Sequence, residues 1–435
     1  MNYNIKKFNN NLRLIHQKPK TNNNYSVINM IIGFGSIHEP DNLKGSAHYI
    51  EHMCFKGNSK IKNSKKLSTI LDKYGAYTNA YTDKKYTNYI IVCPDKYLLE
   101  CIDIITHMVL FSKFDKNEFK KEYNVVLEEN HRDKQDFYEQ MNTSIDEHIY
   151  NGSSYEKPID CIEFHKKKLE CDDLYKLYKK YYTTDKTILS ICSTLSFDKI
   201  INYCKSHTIS NYKSPNCESY NLKLNIPYYD KYKNIIKKEK LTDVTYLSIT
   251  YKTCGYFSKD TYILNFIKNL LSSGMSSKLF FKLREEKGLT YTSNAETNYY
   301  EHSGDFSISC ETNFNKLFGK NNTLDTCIEV INDILNFKIT NDEIEKIKGH
   351  LYGQDILSLN DNKYICEYNA VNLCINNLNN NVLNEYDKNI KNINKNDIIS
   401  IIKKYFNKNN LTLCIVSNKT IYEKNIVPYI NKLVY

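Results

Sequence analysis

The feature that most limits how this 435-residue chain can fold is an order of elements that runs twice. In the first half, apolar alternation marks strands at residues 12–17 and 25–35, and a 3.6-residue period marks helices at 44–55 and 64–74. A strand pair at 77–82 and 87–94 leads into helices at 97–111, 117–150 and 172–182, a strand at 187–194 and a helix at 197–206. The second half follows the same plan: a strand at 244–253, helices at 261–272 and 276–287, then strands at 290–298 and 304–312. Helices at 324–335, 342–358 and 395–406, a strand at 411–416 and a last helix complete it. The order predicts an α+β protein of two consecutive units, residues 1–210 and 241–435. The polar stretch 211–240 between them reads as a linker. The Asn-rich tract 376–384 reads as loop or helix end.

Charge has to be read with care. Lys and Arg number 60 against 50 Asp and Glu, a net +10 that on its own suggests a nucleic-acid or membrane-surface partner. Only Arg13, Arg132 and Arg284 are arginines, however, and the lysines are spread along the whole chain. Phosphate recognition favours Arg forks and clustered basic stripes, so the charge is a bias of composition and the expectation is no nucleic-acid partner.

No apolar run reaches the roughly 20 residues that a bilayer span needs, so no membrane partner is expected. The first eleven residues hold no apolar signal region or Arg-rich presequence, and the cytoplasm is the expected location. The 14 cysteines contain no C-x-x-C pair, and Cys93, Cys192, Cys310 and Cys414 sit in apolar strand runs, which predicts buried reduced thiols.

The chemistry concentrates at His48-Tyr49-Ile50-Glu51-His52. On a helix, positions i and i+4 share a face, so both imidazoles can meet one metal ion, with Glu51 beside them. Neutral imidazoles suit Zn²⁺, which in catalytic sites takes three protein ligands and leaves one position for water. A neighbouring carboxylate that does not bind the ion can take that water's proton. The order H-x-x-E-H inverts the H-E-x-x-H zinc-protease helix. A third ligand is available on the helix around 118–129, where Glu122 and Glu129 are two turns apart on one face and Glu128 points about 100° away. One of the two can bind the ion while the other hydrogen-bonds a ligand.

These residues, with Gly35-Ser36-Ile37-His38-Glu39 before them and Met53-Cys54-Phe55-Lys56-Gly57 after, resemble the signature of the pitrilysin/insulinase (M16) zinc peptidases. The likeness is greatest to the short-chain branch that resembles mitochondrial processing peptidase. The resemblance implies that His48, His52 and Glu129, the last within Val125-Val126-Leu127-Glu128-Glu129, bind one Zn²⁺ per chain. It also implies that Glu51 is the general base and Glu122 an accessory carboxylate. Gly75-Ala76-Tyr77-Thr78-Asn79-Ala80-Tyr81-Thr82 is similar to the family's edge strand, with Asn79 and Ala80 at the positions that meet substrate. In the second half, the stretches 274–280 and 283–291 resemble another specific stretch of the family, and the resemblance implies that Arg284 and Tyr291 match an Arg/Tyr pair that approaches the substrate. Ala76, Asn58 and Lys278 depart from the family's usual Gly, Thr and Arg, and none is a metal ligand.

The expected function is therefore a zinc-dependent endopeptidase acting on short or unfolded peptides. Family resemblance further implies that the chain is half of a clamshell, closed by a second copy in a homodimer or by a related chain in a heterodimer. Since one chain carries both the zinc residues and Arg284/Tyr291, a homodimer with the pair acting in trans is the simplest expectation. The alternative is a non-catalytic member of the same family serving as an assembly scaffold.

Overall fold

Two twisted sheets, each with its own core, organise the chain in a computed structural model that describes residues 3–21, 23–160, 169–212, 233–238, 243–376 and 389–434. The first sheet has six strands in the order β1 (Tyr3–Lys7), β2 (Arg13–Gln17), β6 (Thr187–Cys192), β3 (Tyr25–Ile32), β5 (Thr87–Pro94) and β4 (Tyr77–Thr82). The second runs β7 (Lys233–Lys238), β11 (Leu411–Ser417), β8 (Val244–Thr253), β10 (Gly304–Asn313) and β9 (Thr290–Tyr299). The order β2-β6-β3-β5-β4 is the order β7-β11-β8-β10-β9. In both sheets the first of these pairs is parallel and the rest are antiparallel. The doubled element order is thus a doubled topology, and β4 and β9 are equivalent edge strands.

Among the described residues the helices of eight residues or more are α1 (Ser46–Cys54), α2 (Ser64–Tyr74), α3 (Leu98–Leu110), α4 (Lys116–Gln135), α5 (Phe137–Ile149), α6 (Cys171–Tyr181) and α7 (Phe197–Ser206) in the first half. In the second half they are α8 (Asp260–Ser272), α9 (Thr323–Leu335), α10 (Asn341–Ser358), α11 (Asn362–Asn376), α12 (Lys395–Tyr405) and α13 (Glu423–Ile430). Contacts gather the chain into two compact units that are not continuous in sequence. One comprises Met1–Arg132, Lys157–Leu222 and Gln354–Val382; the other comprises Asp133–Glu156, Lys223–Gly353 and Leu383–Tyr435.

In the first unit, β3 is buried on both faces. Ile28, Met30 and Ile32 pack into the core with α1 and α3, while Val27 and Ile31 meet Ile365, Cys366, Ala370 and Leu373 of α11 on the other side. Each fully buried Ile or Met contributes about 1.5–3 kcal/mol, which is why such a strand reads as an unbroken apolar run. In the second unit, α8, α9 and α12 cover one face of the sheet, and α5 packs on β8 and β11.

Several elements differ from the sequence expectation. The helix expected over 117–150 is two, because Asp136 caps α5 by accepting from Tyr138 N (2.8 Å) and Glu139 N (3.3 Å). The helix expected over 276–287 is a π-helical turn, Phe280–Glu286. The strands β1 and β7 and the helix α11 were not anticipated. Most of the expected linker and the Asn-rich tract beyond residue 376 lie outside the described residues. Among the described residues the cysteines form no disulfide, and no helix is long and apolar enough to cross a membrane.

Candidate metal centre

The centre is built on α1, whose start is fixed from outside the helix. Gly45 adopts φ 84°, a left-handed backbone that favours glycine. The Glu39 carboxylate accepts from Gly45 N (2.8 Å) and Ala47 N (2.7 Å), supplying partners that a helix N-terminus lacks. The loop leading there turns at Gly35, where a Cβ would meet Asp83 O at 2.2 Å, so only glycine fits. Tyr49, fully buried, donates to Phe119 O at 2.5 Å and packs on its ring, which sets α4 against α1.

With α1 and α4 in place, His48, His52 and Glu129 converge. The Nε2 atoms of the two histidines are 3.0 Å apart, and Glu129 Oε2 lies 3.3 Å from His52 Nε2 and 3.9 Å from His48 Nε2. A tetrahedral Zn²⁺ with bonds of about 2.0–2.1 Å needs ligand atoms about 3.3 Å apart, so the donor set fits that ion. Glu128 is exposed to solvent, whereas Glu122 is buried.

The outer nitrogens face carboxylates. His52 Nδ1 donates to Glu122 Oε1 at 2.8 Å, and Lys56 Nζ holds the other Glu122 oxygen at 2.5 Å. His48 Nδ1 meets Asp160 Oδ1 at 2.5 Å, the oxygen sitting to one side of the ring's N–H direction. With Nδ1 turned to a carboxylate on each ring, both Nε2 lone pairs are left facing one point. At 3.0 Å the two Nε2 atoms can share a proton by a hydrogen bond, or a metal ion.

Electrostatics favour positive charge at that point. Burial opposes protonation of His48, but Asp160, Glu51 and Glu129 outweigh it and raise the ring to about 9; the same negative field attracts a dication. Burial likewise works against the charge of Glu122, yet His52 and Lys56 hold it below the ordinary carboxylate range. Glu51 is not among the converging ligands. It is buried, which lifts its proton affinity, while His48, His52 and a hydrogen bond from Thr82 Oγ1 (2.7 Å to Oε2) pull against the lift. A carboxyl with raised proton affinity beside a metal site can take a proton from water and return it.

Thr82 ends β4, the sheet edge next to α1. Along that strand Asn79 is exposed and Ala80 half-buried. In the second unit, Arg284 stacks over Tyr291 (4.7 Å) and Phe280 (5.0 Å), and Tyr291 is 76% exposed. The pair is therefore formed and available to solvent.

Four residues of the centre escaped the sequence reading: Thr82, Lys56, Glu39 and Asp160. The first three lie inside the motif stretches, where their type was visible but their partner was not. No spacing rule links Asp160 to His48.

Known proteins resemble this chain in sequence and in fold. Residues 15–162 match the model for insulinase (peptidase family M16), and residues 168–351 match that for the peptidase M16 inactive domain. The chain is 31% identical to the uncharacterized zinc protease YmxG of Bacillus subtilis over 77% of its length and 79% of that protein. An uncharacterized zinc protease of Rickettsia bellii is 27% identical over 73% of the chain and 75% of that protein. Among solved structures, a protease from Helicobacter pylori superposes with a TM-score of 0.88 at 20% identity, covering 95% of this chain and 99% of that one. The first half of the periplasmic protease PqqL from Escherichia coli superposes with a TM-score of 0.81 at 14% identity, covering 99% and 96%. The two family models and the bacterial relatives place the chain where its metal helix already pointed: it belongs to the insulinase family of peptidases, family M16.

Proposed function

We propose that the chain is a zinc-dependent endopeptidase for short or unfolded peptides, with one Zn²⁺ held by His48, His52 and Glu129. The observation that carries this reading is the convergence of those three donors, at the spacing zinc requires, beside a buried carboxyl and a sheet edge. Zinc held there supplies Lewis acidity that makes a water easier to deprotonate. Glu51 takes the water's proton and passes it to the leaving amine. Glu122 keeps His52 oriented. The edge strand β4 receives the peptide as an added strand through backbone hydrogen bonds, with Asn79 and Ala80 against the substrate. Arg284 and Tyr291 are the donors that hold the scissile peptide and stabilise its oxyanion.

The partner is a second copy of the chain, each supplying its Arg284/Tyr291 pair to the other's metal centre and together enclosing a chamber that admits peptides but not folded proteins. The cytoplasm is its place of action. In the test, the purified protein holds about one zinc per chain, cleaves members of an unstructured peptide library, stops when a chelator strips the metal and resumes when zinc is returned. A zinc-loaded protein that leaves the whole library intact contradicts the reading.

A further inference from the structure

We propose that Asp160 is a positioning residue of the metal centre, holding His48 through Nδ1 as Glu122 holds His52, and that it is carried by a short strap clasping the start of α1. The inference rests on the reading of His48, His52 and Glu129 as metal ligands.

The strap is residues 157–160, Lys157-Pro158-Ile159-Asp160, where the chain re-enters the first unit. It grips at both ends. Lys157 Nζ donates to Glu39 O at 2.7 Å and pairs with Asp41 at 3.2 Å, and Glu39 is the residue whose carboxylate caps α1. Three residues on, Asp160 Oδ1 lies 2.5 Å from His48 Nδ1, an ion-pair contact with the oxygen to one side of the ring's N–H direction. Pro158 fixes its own φ between the two grips and so removes freedom from the strap before it docks. His48 and Asp160 are both largely shielded, with side chains 17% and 32% exposed, so water does not replace the carboxylate freely.

The consequence is chemical. A carboxylate on Nδ1 keeps the proton on that nitrogen, leaves the Nε2 lone pair for the ion, fixes the ring's rotation and makes the ring a stronger donor. Glu122 does this for His52 from α4, the helix that also supplies Glu129. Asp160 does it for His48 from a different part of the chain, so the two histidines are held independently.

The test measures the dissociation constant for zinc alone by chelator competition, in the full chain at one pH. Asp160→Asn, which keeps the side chain's size, weakens zinc about 10- to 100-fold. Asp160→Ala does the same, and Asp160→Glu, which restores a carboxylate, binds more tightly than either. Circular dichroism and melting of the metal-free proteins confirm that the variants are folded. If Asp160→Asn does not fold, the comparison of Asp160→Ala with Asp160→Glu decides. Folded Asn and Ala variants that bind zinc as the unaltered protein does overturn the inference while leaving the metal centre standing. If the unaltered protein binds no zinc, or His48→Ala binds it equally well, the metal-centre reading falls and the inference with it.

Discussion

Two imidazole Nε2 atoms 3.0 Å apart, each ring backed by a carboxylate within 2.8 Å, form an arrangement suited to sharing a cation, a proton or a metal ion. Glu129 converges with the two rings while Glu128 is exposed, so the proposed metal site depends on Glu129 and not on its neighbour. Glu129→Gln should weaken zinc by more than about 100-fold, and Glu128→Gln should leave it unchanged, both read by chelator competition. The opposite pattern would mean that α4 is rotated by one residue. A second residue-scale prediction concerns stability. His38 is buried, accepts from Gly35 N at 3.0 Å and stacks on Phe34; burial, then the charges of Lys85 and Lys186, push it down to about 3. Between an unfolded value near 6.5 and that folded value, the unfolded chain binds the proton and the folded chain does not. The stabilisation is therefore complete above pH 6.5 and lost as pH falls, by about 1.4 kcal/mol per unit. In urea unfolding of metal-free protein at pH 7 and pH 5, the unaltered chain should lose about 2 kcal/mol more than His38→Asn. Equal losses would show that His38 is not held neutral.

At the scale of elements, β4 does two things at once. Among the described residues it is the last strand of its sheet and offers unpaired backbone groups, and its final residue, Thr82, donates to Glu51. On the proposed mechanism, a substrate strand on β4 and the carboxylate that accepts the proton are thus tied to one element. Thr82→Val, similar in shape but lacking the hydroxyl, should lower kcat about 10- to 100-fold, in line with a lost hydrogen bond to a charged group, with KM little changed and Thr82→Ser restoring most of the rate. A Val variant with unchanged kcat would show that Glu51 needs no such partner. Elements were legible where their pattern is local. The H-x-x-E-H residues share a face because five consecutive positions decide it, and Glu122 and Glu129 follow from two turns of one helix. The break at Asp136 was hidden because a capping Asp looks like any polar residue in a long amphipathic run. The helix α11 was hidden because its buried positions include Asn362, Asn369 and Asn372, and a partner such as Gln17, which accepts from Asn369 at 2.8 Å, is distant in sequence. The mostly exposed strand β1 carries only Tyr3 and Ile5 as apolar alternation, too short a pattern to mark a strand.

For the whole molecule, the doubled order of elements was legible, and the discontinuity of the units was not. Sequence shows that the halves repeat; it does not show that residues 133–156 belong with the second sheet and 354–382 with the first. For the same reason Asp160 was invisible, since its partner is reached only after the chain has left the first unit and returned. Arginine scarcity, by contrast, was useful: among 60 basic residues, one of three arginines is Arg284, stacked on Tyr291. If each copy supplies that pair to its partner's metal centre, mixing equal amounts of Glu51→Gln and Arg284→Ala proteins should return about a quarter of the unaltered activity, since half the dimers are mixed and each holds one intact centre. No recovery in verified mixed dimers would contradict action in trans.

The central claim is that Glu51 handles the proton and leaves the metal to its neighbours, and one variant tests it directly. Glu51→Gln should keep about one zinc per chain while peptide cleavage falls by at least about 100-fold, the scale of lost general-base catalysis. A zinc-loaded Glu51→Gln protein that cleaves peptides at the unaltered rate would contradict the account.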